Sequence, residues 1–119
     1  MIKIPHVVIE GELNTQEIFR NIEPLFIKEE DLLIRSINSF FSQDETTILI
    51  ETLVIESGTK NQFFAIINKR EDGVVVRIHP IIDVEKTNGV KRSLAEIGKQ
   101  LLEKYESAKI GKTNLADFL

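Results

Sequence analysis

The order of its secondary-structure signals constrains this chain more than any single residue does. A β-rich run at residues 2–13 comes first, holding Ile2, Ile4, Val7, Val8, Ile9 and Leu13. A short helical stretch follows, then four strand-like runs in succession, and one long amphipathic helix closes the pattern. Each run is bounded by turn chemistry: Gln43-Asp44-Glu45, Ser57-Gly58-Thr59-Lys60 and Asp72-Gly73. The order β-α-β-β-β-β-α predicts an α+β fold, an antiparallel sheet with a long C-terminal helix packed on one face. A chain of 119 residues is expected to form one domain spanning 1–119, large enough for a core without covalent staples.

Local signals support this order. Asn14 followed three positions on by Glu17 has the form of a capping box. Ile18, Phe19, Ile22, Leu25 and Phe26 then recur at helical spacing, with Pro24 predicting a kink or a second short helix. Lys28-Glu29-Glu30-Asp31 reads as a charged connection. The four strands are expected near 32–42, 46–57, 61–70 and 74–84. The last helix begins between Asn88 and Ser93 and carries the stripe Val90, Leu94, Ile97, Leu101, Tyr105 and Ala108, with Gly111 as its stop. The apolar tail Leu115–Leu119 is expected to dock on its own sheet or on a neighbour.

Side chains alternate across a strand, so the register decides which face each residue joins. Even-numbered loops at Asp44, Gly58 and Asp72-Gly73 set Ile37 opposite Ile50, Ile50 opposite Ile67, and Ile67 opposite Ile78. This isoleucine ladder predicts the face beneath the helices. Arg35 and Thr52 fall on it as cross-strand neighbours. The other face then carries Ile34, Leu53, Phe64 and Ile81, an apolar row where an antiparallel sheet with one wet side alternates to polar residues.

Composition narrows the functional classes. The net charge of −4 argues against a general nucleic-acid binder and against nucleic acid as a partner. The balance is uneven: five Lys/Arg and eleven Asp/Glu in residues 1–60, ten and eight in residues 61–119. There is no cysteine, which removes disulfides and thiolate metal sites. Together with the Ile, Lys and Glu bias, this has a thermophile-like cast. No apolar stretch is long enough to span a bilayer, and the first residues lack a leader-like apolar run, so a cytoplasmic location is expected.

The element order resembles the helix-grip superfamily, in which a curved antiparallel sheet grips a long C-terminal helix. START lipid-transfer domains and birch-pollen-allergen-like proteins belong to it. TATA-box-binding-protein-like domains share the order. The resemblance covers residues 2–110 and rests on topology. It implies a small apolar molecule held between helix and sheet, with six strands after the helices in the usual pattern against four here.

No catalytic constellation is present, and no nucleophile elbow or phosphate loop. The only histidines, His6 and His79, lack ligand spacing, so no metal and no cofactor is expected. A guanidinium on the core face must be paired. Arg35 therefore anchors the carboxylate of an apolar ligand, pairs internally with Glu96 or Glu103, or reaches out at the sheet edge. The leading functional expectation is a non-enzymatic binding protein for a lipid- or fatty-acid-like molecule. Its site would be lined by Arg35, Ile37, Ile50, Thr52, Ile67, Ile78, Ile97 and Leu101. The alternative is a ligand-free oligomerising module, a homo-oligomer built through Ile34, Leu53, Phe64 and Ile81.

Overall fold

A computed structural model describes residues 4–119 of the chain. Ile2, the first member of the leading β-rich run, lies outside the described residues. The order is β1 (His6–Glu10), α1 (Thr15–Asn21), β2 (Phe26–Glu29), β3 (Leu32–Phe41), β4 (Thr47–Glu56), β5 (Thr59–Arg70), β6 (Gly73–Ile78), α2 (Asn88–Lys104) and β7 (Lys109–Thr113), followed by a 3-10 turn at Ala116–Phe118. The strands form one antiparallel sheet in the order β2-β3-β4-β5-β6-β1-β7. The α+β class and the helix on one face are as the sequence predicts. Two strands, β2 and β7, are additions to the expected pattern.

Both additions have local causes. α1 starts as expected, with the Asn14 side chain accepting from the Glu17 N–H at 3.0 Å. It stops at Asn21 because Pro24 cannot extend a helix and biases its predecessor toward extended backbone. Leu25 then bonds to Ser36 in both directions: its N–H donates to Ser36 Oγ, and its carbonyl accepts from the Ser36 N–H, each at 3.0 Å. This seats Phe26–Glu29 as a strand along β3. At the other end α2 starts at Asn88, capped by Thr87, and stops at Lys104. Tyr105 and Ala108 therefore lie past the helix, and Gly111 sits inside a strand paired with β1 rather than ending a helix.

The inner face of the sheet carries Val7, Ile9, Ile34, Ile48, Ile50, Val54, Phe63, Ile67 and Val76, all buried and in one cluster with Val90, Leu94, Ile97 and Leu101 of α2. Gly98 lets the helix come close: a Cβ there would stand 3.1 Å from Val7 Cγ1. Leu115 of the tail is buried in this same core. α1 joins the same side, where Phe19 stacks on Phe41 with ring centroids 5.0 Å apart.

α2 also clamps the segment after α1. Arg92 makes a two-point pair with Glu29, both bonds 2.8 Å. Hydrogen bonding from Arg92, more than its charge, holds the Glu29 carboxyl below the usual range. The Gln100 side chain binds the Glu23 main chain in both directions, and the Lys104 ammonium donates to the Asn21 carbonyl.

The registers differ from expectation in an instructive way. The β5–β6 loop is Glu71-Asp72, so Ile67 opposes Val76 and Ile78 opposes Ala65. The β4–β5 loop is Ser57-Gly58, with both residues at positive φ as a type I′ hairpin turn requires. There Ile50 opposes Ala65 and Ile48 opposes Ile67. Both shifts are two residues, so every side chain keeps its face.

β3 is the exception. Near its turn Phe41 pairs with Ile48 and Ser39 with Ile50, but from Ser36 backward the pairing slips, Ser36 meeting Thr52 and Ile34 meeting Val54. The extra residue lies at Ile37-Asn38, where two residues face Glu51. That β-bulge inverts the first half of the strand. Ile34 turns inward and is 0% exposed, while Arg35 and Ile37 turn outward. The ladder Ile37-Ile50-Ile67-Ile78 is thus corrected: its last three members are core, and Ile37 is not.

Candidate interaction surface

Six of the anticipated pocket residues share the inner core, and Arg35 and Ile37 do not join them. Ile50, Thr52, Ile67, Ile78, Ile97 and Leu101 are buried in the inner core. None of them lines the clefts at the β2 end, at the start of α1 or at the start of α2. Thr52 satisfies its hydroxyl locally, donating to the Ile50 carbonyl at 2.9 Å. Arg35 is on the opposite side of the sheet from α2, out of reach of the helix. Glu96 is engaged instead by Arg92 and Lys99.

The anticipated interface row is also rearranged. Ile34 is core, and Ile81 is 75% exposed in the loop after β6. That loop begins early because Pro80 cannot donate to the ladder; the last bond runs from the His79 N–H to the Phe64 carbonyl. Leu53 and Phe64 do lie on the outward face, half-buried.

Pairing defines what surrounds them. One row across the strands is Lys28-Leu33-Ile55-Lys60, and the next is Phe26-Arg35-Leu53-Gln62. Glu51 stands opposite Phe64. A further row is Phe40-Leu49-Ile66-Arg77. Phe26 is 68% exposed and Phe40 is 47% exposed. The bulge that inverts β3 is what places Leu33, Arg35 and Ile37 on this side. No helix among the described residues covers these rows: α1 and α2 both lie over the inner face.

Cations outnumber carboxylates at the outward strand positions. Lys28, Arg35, Lys60 and Arg77 occupy outward positions, and no ion pair among the described residues engages them. Arg77 donates instead to Asn68, which in turn donates to Thr47. The carboxylate among them, Glu51, is already hydrogen-bonded by Asn38 and Gln62. Glu10 lies at the far margin, on β1. A cleft of about 450 Å³ opens at the β2 end, lined by Phe26, Lys28, Leu33, Arg35 and Ile55, with Glu29, Glu30 and Asp31 at its turn end.

Other clefts are different in kind. One of about 490 Å³ lies at the start of α2, between Glu29, Glu30, Asp31, Glu56 and Phe118. There Glu56 Oε2 accepts from the Gly89 N–H. A polar cleft of about 530 Å³ lies between the start of α1 and the β3–β4 turn. Asp44 in that turn has its carboxyl lowered by bonds from Ser42 and Thr46, so it serves the turn itself. Among the described residues no His, Cys, Asp and Glu group has the geometry to hold a metal ion, and no helix is long and apolar enough to cross a membrane.

No family model matches the chain, and no solved structure matches it. A stretch of 59 residues is 32% identical to the tRNA (guanine-N(7)-)-methyltransferase of Aquifex aeolicus (strain VF5). That stretch is 50% of this chain and 20% of the enzyme. The likeness therefore spans a fifth of the enzyme's length.

Proposed function

We propose that this chain is a non-catalytic docking module that receives a partner on the outward face of its sheet. One observation carries the reading: apolar side chains fill solvent-side positions of the central strands and share them with unpaired cations. A sheet face with no partner is expected to alternate to polar residues there. An apolar centre with a charged rim is also the usual anatomy of an interface. The partial likeness to a tRNA methyltransferase fits a module associated with RNA chemistry.

The test works whatever the partner is. Radical footprinting of Phe26, Phe40 and Phe64 inside expressing cells is compared with the purified chain, and light scattering measures its oligomeric state. Protection in cells, or a dimer that Phe64→Glu splits, supports the reading. A monomer labelled equally in both settings contradicts it.

A second reading rests on topology. The curled antiparallel sheet around a terminal helix supports membership of the helix-grip superfamily, and with it the binding of a lipid-like molecule between helix and sheet, in a cytoplasmic protein. Native mass spectrometry of the gently purified chain tests this. A bound amphiphile supports it, and a bare mass contradicts it.

A further inference from the structure

We infer that the outward face binds single-stranded RNA, an inference that rests on the docking reading above and names its partner. Electrostatics come first. The chain carries a net charge of −4, yet Lys28, Arg35, Lys60 and Arg77 lie on one face of the sheet, with Glu51 between their rows. The amides on Glu51 leave its charge in place, but most of the chain's carboxylates lie elsewhere, and the whole-chain sum hides a local excess of cations. Net charge alone pointed away from nucleic acid; its distribution over the sheet points toward it.

The side chains between the cations decide the kind of polyanion. Phe26 and Phe40 are exposed, and Phe64 is half-buried beside Glu51. Unpaired bases stack on such rings, at a sheet surface in particular. Asn38, Gln62 and Asn68 lie on the same face, but their amides already bond Glu51, Thr47 and Arg77, so stacking and phosphate contacts carry the recognition rather than base-edge bonds. Lys28 and Lys60 stand three strand spacings apart, roughly 14 Å, with Leu33 and Ile55 between them. A flexible strand lying across this floor meets cations at both margins and apolar surface between. A double helix offers no unstacked bases to such a floor. A second copy of the chain fits less well, because a two-fold contact centred on this end would set Lys28, Arg35 and Lys60 against their own equivalents. Glu30 and Asp31 at the turn end of the cleft mark where the strand must leave the surface.

The experiment is fluorescence anisotropy with a short fluorescein-labelled oligouridylate, alongside the matching oligodeoxythymidylate and light scattering. Saturable oligouridylate binding is expected, weaker for the DNA probe. With three phosphates neutralised, affinity falls roughly 20-fold between about 50 and 200 mM salt. Arg35→Glu with Lys60→Glu weakens binding at least 10-fold, and Phe26→Ala weakens it with the salt slope unchanged. Lys112→Glu, on β7, has no effect. The inference is overturned by absent binding at low salt, by equal or tighter DNA binding, or by equal loss in the Lys112 variant. It is also overturned by a dimer that Phe64→Glu splits, which leaves the docking reading standing. Absent RNA binding together with a monomer unprotected in cells removes both.

Discussion

The two faces of one sheet are built from the same strands, yet they obey different rules. On the inner face, Ile48, Ile50, Val54, Phe63 and Ile67 are packed beneath α2. On the outward face their immediate neighbours Leu49, Glu51, Leu53, Ile55 and Phe64 remain in partial contact with water. The inner face is apolar because it must fill space. The outward face is apolar only in places, and those places lie among cations. Burial explains the inner face fully and the outward face only in part, where Ile66 and Val8 are buried but Phe26, Ile37 and Phe40 remain exposed.

The sharpest way to break the contrast is to truncate adjacent residues of β5. Phe63→Ala is expected to cost about 3–5 kcal/mol in urea unfolding, the range for emptying a packed aromatic site. Phe64→Ala is expected to cost less than about 1 kcal/mol. Similar losses would show that both faces are structural. A smaller effect is expected where helix and sheet approach closest. Gly98→Leu drives a side chain into Val7 and should lower stability by about 1–3 kcal/mol through overpacking, read as a drop in midpoint with an unchanged slope. A neutral result would mean that the gap between α2 and β1 is looser than 3.1 Å implies.

Tyr105 sharpens the boundary of the core. Its hydroxyl is buried, and although Asn21 lies near enough to oppose the effect of burial, no hydrogen bond closes. Burial pushes the phenol up. Removing an unsatisfied buried group is neutral or favourable, so Tyr105→Phe should leave the midpoint unchanged or higher, and a clear drop would reveal a hidden partner.

The smallest expected effect is a pH dependence. Glu29 has its folded pKa lowered by Arg92, so its contribution is present above the ordinary glutamate range and disappears as pH falls below about 4. Wild type and Glu29→Gln should differ slightly near neutrality and converge in acid. A difference that persists there would contradict the Arg92 clamp.

Much of the fold was legible because the central strands and the last helix are long and strongly patterned. Turn chemistry at Ser57-Gly58 and Glu71-Asp72 preserved each face even where the register moved by two residues. Three features were not legible, for physical reasons. The strand Phe26–Glu29 is too short to alternate and continues a helical spacing that only Pro24 interrupts. The strand Lys109–Thr113 carries a glycine that reads equally well as a helix stop. The bulge at Ile37-Asn38 involves no glycine or proline, and nothing in composition announces the extra residue. That bulge decided the site. It moved Arg35 from the supposed pocket to the outward cleft and Ile34 from the supposed interface into the core. Leu53 and Phe64 kept their predicted side because β4 and β5 slipped by an even number.

Both the core and the proposed docking surface depend on which way β3 faces, and a soluble paramagnetic agent added during NMR reads this directly. Strong broadening is expected at Ile37, Phe26 and Phe40, with protection at Ile34, Ile50, Ile67 and Ile78. Broadening at Ile34 with protection at Ile37 would instead restore the uninterrupted isoleucine ladder, and with it Arg35 beneath the helix.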